Sequence, residues 1–402
     1  MNLLQKGLQQ RAVIKTTLTR KLTIDGITSA YPVYKVNLDW LFYNDQNDRI
    51  ATWISQYKSE HNGLAPDMSD KEAYNSIIEN FIIESNPEAI KKTKNNIEMV
   101  DQREPGVVLA DGRIIDGNRR FTCLRLLSRK NERFQYFETV ILDRNIESSA
   151  KEIKMLELSI QHGEETKVDY NPIDRLVGLY NDVIDTKLLS IEEYAQSTNE
   201  SINVIKINIE TAKLLVEFLE FINAPKQFYI ARDLKVSGPI EELVKLIKKC
   251  RTEEEIKDLK VCVFNNILMQ TEGDMTRFIR NIKNIIGSEN QSKFMDEQKE
   301  LANKVLEKLP EVGQVNSDVI RDIMRNDDEI GQALKNSMEY HLNQVRKVET
   351  RYRPIQLVEK ATQFLEDIDT NIISKMNKAE LKRLEGQISK LEDVLSEIKW
   401  NL

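Results

Sequence analysis

The stretch V-V-L-A-D-G-R-I-I-D-G-N-R-R-F-T-C-L-R-L-L, residues 107 to 127, constrains this chain more than any other. Val107-Val108-Leu109 and Ile114-Ile115 are short apolar runs separated by Ala110-Asp111-Gly112, which predicts two strands joined by a tight turn. Asp116-Gly117-Asn118-Arg119-Arg120 follows at once, and Phe121 to Leu127 reads as a helix. A glycine and two adjacent arginines therefore arrive at a helix start. This is the arrangement of an anion cradle: Gly117 lets the backbone approach a ligand, the first helical amides point outward, and the helix dipole favours negative charge. Arg119 and Arg120 add planar donors suited to phosphate oxygens. A plainer reading stays open, in which Asp116 pairs with an arginine and Gly117 merely makes a turn.

On either side of this element the chain changes character. Residues 1 to 35 carry Lys6, Arg11, Lys15, Arg20, Lys21 and Lys35 against Asp25 alone, with short β-rich pieces such as Ala30 to Val36. They read as a basic leading segment and not as a domain of their own. From Ile50 to about Val100 the spacing is helical: Trp53, Ile54, Tyr57, then Tyr74, Ile77, Ile78, Phe81 and Ile82. Pro105-Gly106 ends that pattern, and Tyr136 to Leu142 predicts a further strand. Beyond Ser148 nearly every segment is helix-periodic, with clear breakers only at Asn171-Pro172, Ala224-Pro225, Ser237-Gly238-Pro239, Gly273, Gly287, Pro310 and Pro354.

The expected fold class is α+β, and 402 residues allow two or three domains at roughly 150 residues each. The expected division is a mixed α/β domain over 1–147, a helical domain over 148–236 and a helical C-terminal domain over 237–402. At the end, Leu381, Leu384, Ile388, Leu391, Leu395, Ile398 and Leu402 alternate spacings of three and four. This short heptad seam over 381–402 suits either a coiled coil between two chains, hence a homodimer, or a helix pair within one.

The formal charge, 58 − 65 = −7, hides a basic front third, because residues 1–35 carry +5 and residues 91–130 another +5. The total does not argue against a phosphate ligand. Three cysteines, Cys123, Cys250 and Cys262, form no C-x-x-C motif and fit a reducing cytoplasm. His61, His162 and His341 are too few for a zinc site built of Cys and His. No apolar run approaches the ~18 residues of a membrane span, and the start M-N-L-L-Q-K-G-L-Q-Q lacks the apolar block of a signal peptide. A cytoplasmic protein with no membrane partner is expected.

The element at 107–127 resembles the phosphate-binding box of the ParB/sulfiredoxin superfamily, where a strand leads into G-E-R-R or D-G-N-R-R and then a helix. Tyr43-Asn44-Asp45-Gln46-Asn47-Asp48-Arg49 is loosely similar to the first box of the ParB family, and Ser159-Ile160-Gln161-His162 with Asp169-Tyr170-Asn171-Pro172-Ile173-Asp174 to its E-N-I-Q-R-x-x-L-N-P-x-E segment. The resemblance covers about residues 30 to 235. It implies a ParB-like fold that binds a nucleotide, CTP or another NTP, with Asp116, Gly117, Asn118, Arg119, Arg120 and Gln161 as the binding residues. The chain departs from the pattern in four places, one of them His162 where the pattern has an arginine. Asn118 replaces the glutamate of G-E-R-R, the metal-contacting Glu-Asn pair falls on Leu158-Ser159 with Glu157 one position early, and about five extra residues within 163–168 precede the Asn-Pro. Magnesium wants hard oxygen ligands and Leu158 has none, so nucleotide binding is better supported than hydrolysis. The sulfiredoxin branch needs a cysteine where Asn118 stands, and Cys123 reads as a small core residue.

Residues 190–216 fit a helix-turn-helix frame. Ala195 takes the small position at the helix crossing, Asn199 the left-handed turn, Ser201 the cap of the second helix and Ile205 an inward apolar position. Ser201, Asn203 and Lys206 are then the candidate DNA contacts, with Ile202, Ile207 and Glu210 also outward. Residues 190–215 carry four glutamates and two lysines, net −2, which suits a protein partner as well as DNA.

The leading expectation is a ParB-like nucleotide- and DNA-binding protein of partition, plasmid, phage or genomic-island type. The alternatives are a defence-type NTPase or DNA nuclease, since modification-dependent restriction NTPases carry D-G-Q-Q-R at the same fold position, or a scaffold independent of nucleotide. A metal-using enzyme has Asp111, Asp116 and Glu157 as its nearby carboxylates.

Overall fold

A computed structural model of the chain describes residues 2–24, 26–144, 146–163, 171–324 and 328–402. The strands come first: β1 (Val13–Ile24), β2 (Ile27–Asn37), β3 (Gly106–Leu109), β4 (Ile114–Asp116) and β5 (Tyr136–Leu142). They form one open sheet in the order β1-β2-β5-β3-β4, antiparallel except for the β3–β5 pair. The architecture is α+β, this sheet being followed by helices. Residues 13–37 are a long hairpin and not short pieces: Val13, Leu22 and Ile24 turn inward while the threonines and lysines between them face outward.

The apolar runs at 107–109 and 114–115 are continuous because both faces of the sheet are covered. Val108 and Ile114 point into one core with Val36, Phe121, Leu124, Tyr74 and Ile78. Val107, Leu109 and Ile115 point into the other, against Ile153, Leu156 and Ile160. The first core belongs to α1 (Ala51–Glu60), α2 (Lys71–Ser85), α3 (Pro87–Val100) and α4 (Asn118–Ser128), and the second to α5 (Ile146–Gly163). Each fully buried side chain of this size contributes about 1.5–3 kcal/mol. Arg125 on α4 locks the first layer by donating to Glu79 Oε2 at 2.7 Å and to Glu72 Oε1 at 2.8 Å, both on α2.

The chain divides into two compact units, 1–339 and 340–402. The boundaries expected at 147/148 and 236/237 fall inside the first unit. The physical reason is α5, which covers the sheet with one face and packs Leu158 with the other against Leu179, Tyr194, Ala195 and Ile205 of the following helices. These helices are α6 (Pro172–Leu179), α7 (Ile191–Thr198), α8 (Ile202–Phe221) and α9 (Phe228–Asp233), preceded in the case of α7 by a helical turn at Tyr180–Asp185. Arg232 on α9 stacks over the Trp53 ring of α1 at 3.8 Å, which ties this layer to the first.

Pro354, expected as a breaker, lies inside the helix Asp328–Glu366. In the second unit the helix Lys378–Trp400 starts with a capping box at Asn377 and Glu380. Its heptad seam is incompletely covered: Leu381, Leu384 and Leu391 are half-buried, while Ile388, Leu395 and Ile398 are exposed. Among the described residues no helix is long and apolar enough to cross a membrane.

Candidate anion-binding site

The turn from β4 into α4 defines the site. Asp116 ends the strand, and Gly117 takes φ 102°, ψ 16° as the residue before the helix. A side chain there would meet strain and the Phe137 ring, since a Cβ would lie 2.7 Å from Phe137 Cζ. No side chain caps this helix start, so its first amides are available to a ligand. In front of them is a recess opening to solvent, lined by Asn47, Arg49, Asp116, Gly117, Asn118, Arg119, Gln161 and the apolar Ile50, Ile82 and Ile115. The recess therefore gathers Asn47 and Arg49, residues 116–119 and Gln161 around one helix terminus.

Its wall places the guanidiniums of Arg49 and Arg119 near the Asp116 carboxylate. The Arg119 side chain makes no hydrogen bond or ion pair among the described residues. Burial, and then the neighbouring Arg49 guanidinium, lower its hold on its proton, which means that two like charges are kept close in a partly water-excluding wall. Asn118 Oδ1 is buried there without a partner, a group whose amide gains a partner by turning its N–H₂ to an acceptor.

No family model matches the chain, and no curated protein matches it.

The two arginines of D-G-N-R-R part company. Arg120 does not line the recess: its Nη2 donates to Asp116 Oδ2 at 3.0 Å, and its Nη1 to the Glu104 carbonyl at 3.1 Å. Arg20, from β1, donates to the same Asp116 Oδ2 at 2.9 Å and to the Pro105 carbonyl at 2.6 Å. The plainer reading of Asp116 thus describes Arg120, while Arg119 keeps the geometry of the cradle. Asp116 is shared between two guanidiniums, Asp111 lies at the surface near Arg113, and Glu157 is buried on α5. These three carboxylates do not converge, and no group of three His, Cys, Asp or Glu side chains among the described residues is arranged to hold a metal.

Behind the recess lies a cluster that linear reading misses. The Lys154 ammonium donates to Asp48 Oδ1 at 2.7 Å, and lies 3.4 Å from Asp182 Oδ2 and 3.9 Å from Glu157 Oε2. Glu157 Oε1 accepts from Gln161 Nε2 at 3.0 Å, and Gln161 lines the recess. Burial works against the charge of Lys154, but Asp48, Glu157 and Asp182 hold it protonated. The only signal in the sequence was the i,i+3 pair Lys154 and Glu157, indistinguishable from a surface ion pair.

The helix-turn-helix positions take the expected local form. Ser190 and Glu193 make a capping box on α7, Asn199 sits at φ 56°, ψ 39°, and Ser201 caps α8 by accepting from the Val204 N–H at 3.3 Å. Ala195 and Ile205 are buried, whereas Ser201, Asn203 and Lys206 are exposed on α8 and none of them lines the recess. The Asn-Pro segment opens α6, where Asn171 caps the helix and Asp174 Oδ1 accepts from the Thr52 N–H at 2.9 Å. Residues 164 to 170, including Asp169 and Tyr170, and the His162 side chain lie outside the described residues.

Proposed function

We propose that the chain is a nucleotide-binding protein of ParB-like type, whose recess at the start of α4 takes the phosphates of CTP or another NTP. The observation that carries this is Arg119: a half-buried guanidinium with no partner among the described residues, beside Arg49, at an uncapped helix start. Two neighbouring cations aimed at open amides are stabilised by a polyanion between them. The convergence of Asn47 and Arg49, residues 116–119 and Gln161 on that recess supports the resemblance to the ParB pattern, in which their segments follow in the same order. In this reading the phosphate contacts are Gly117, Asn118, Arg119 and Gln161, with Arg49 added, and Asp116 and Arg120 brace the turn. DNA contact is assigned to Ser201, Asn203 and Lys206 on α8, and the exposed seam of Lys378–Trp400 to a homodimer.

A thermal-shift panel of the four NTPs, with and without magnesium, tests the first part, because a ligand that binds the folded state raises its apparent stability. Titration of Arg119→Ala completes it: affinity should fall at least about tenfold, the size of one lost charge-assisted contact. Equal affinity in that variant, or no stabilisation by any NTP, refutes the reading. A second reading applies to α8 alone. Ile202, Val204 and Ile207 are each about two-fifths exposed on its outer face, which favours a protein partner there. Binding through that face resists added salt, whereas binding through DNA phosphates weakens steeply with it.

A further inference from the structure

Three carboxylates surround a single ammonium behind the recess. The side chains of Asp48, Lys154, Glu157 and Asp182 are 9%, 8%, 2% and 9% exposed. With every group ionised the cluster would carry a net charge of −3 + 1 = −2, which a water-excluding interior does not tolerate when one proton relieves it. Glu157 and Asp182, gathered on one ammonium, titrate as a unit and share that proton. Burial raises the Glu157 and Asp182 carboxyls well above their ordinary range, in the same sense.

Other charged groups face the cluster from each neighbouring element. Tyr194 on α7 has its hydroxyl driven up by burial and by Asp48 and Asp182. Arg175 on α6 stands near Tyr194 and is paired with Glu200. Asp174 on α6 and Arg232 on α9 lie beyond Asp48. On the recess side are Arg49 and Arg119.

Gln161 joins the two sites. With Glu157 ionised, the Gln161 N–H₂ is held inward by a carboxylate, and the surplus negative charge sits behind the recess. With Glu157 protonated, the surplus negative charge behind the recess falls by one, which favours an anion in it. We infer that the recess takes up its anion together with one proton, held between the carboxyls of Glu157 and Asp182 beside the Lys154 ammonium and behind the recess-lining Gln161. The proton comes from solvent and ends on a carboxyl oxygen, and no other bond changes. Lys154 supplies the only cation in the cluster. This inference rests on the reading of the recess as an anion site and adds that the site is gated by pH.

The test uses sulfate, whose charge is constant from pH 6 to 9, with the full-length chain and calorimetric titration. Wild-type affinity should fall by up to about tenfold per pH unit above the titration of the cluster, the dependence of binding coupled to one proton. Glu157→Gln should hold the low-pH affinity throughout. Wild-type titrations at pH 8, in two buffers of different ionisation enthalpy, should show uptake of on the order of one proton per sulfate, a readout that needs no variant. Wild-type affinity that is flat from pH 6 to 8.5 without proton uptake overturns the inference and leaves the recess reading standing. No sulfate binding at pH 6, or equal binding by Arg119→Ala, overturns both.

Discussion

Replacing Lys154 with methionine keeps most of the side-chain stem and deletes its charge. The folded state then holds three buried carboxylates with no cation, and Asp48 loses the donor it has at 2.7 Å. Removing one partner of a buried ion pair costs about 3–5 kcal/mol, because it strands the other charge. That is a large part of a total stability of about 5–15 kcal/mol. The sign with pH follows from linkage. Without the ammonium the Glu157 and Asp182 carboxyls rise further above their unfolded values, so folding binds protons, and the penalty grows as pH climbs past the unfolded values near 4. The cost should therefore be full at pH 8 and shrink toward about 1–2 kcal/mol at pH 5, where the carboxyls protonate readily. Urea unfolding of both proteins at pH 5, 6, 7 and 8, followed by tryptophan fluorescence, measures it, since Trp40 and Trp53 both pack against the first core. Adding Asp48→Asn to Lys154→Met should recover part of the loss at pH 8. A cost below about 1 kcal/mol at pH 8, or one that is equal at pH 5 and pH 8, would refute the description of this cluster as a charge-balanced unit.

Three further outcomes follow from the same geometry. Gly117→Ala places a side chain at φ 102° with its Cβ 2.7 Å from Phe137, so thermal unfolding should reveal a loss of about 1–3 kcal/mol. Arg120→Ala should destabilise the chain by about 1–2 kcal/mol through its lost bonds to Asp116 and Glu104, while Arg119→Ala leaves stability unchanged or raises it by relieving repulsion from Arg49. Equal losses in the two variants would contradict the division of roles. Burial raises the Asp174 carboxyl to about 7, and a raised carboxyl weakens the fold as pH climbs from the unfolded value toward the folded one. Asp174→Asn keeps an acceptor for the Thr52 N–H and should flatten the decline of stability between pH 4 and 7 in denaturant titrations; an unchanged slope would count against it.

What was legible in the sequence was written between near neighbours in it. The strand, turn and helix at 107–127, the cap at Ser201 and the left-handed Asn199 each depend on a handful of consecutive residues, and each takes the expected form. Fates decided by distant segments were not legible. Consecutive residues of a helix point about 100° apart, so the pair Arg119-Arg120 had to send one side chain to the recess and the other elsewhere. Which one goes where is set by Asp116 and Glu104 on one side and Arg49 on the other. The placement of α5 is another case, because helical periodicity says which face of it is apolar but not that both of its faces are occupied, one by the sheet and one by α7. The Lys154 cluster is the extreme case: its members at positions 48, 154, 157 and 182 come from three segments, and only the fold makes them one group. Such a cluster is costly to bury, and well-packed apolar side chains would stabilise the same space at least as well. Its position behind Gln161 gives the cost a use, since a charge balance that one proton can tip is placed where an arriving anion feels it.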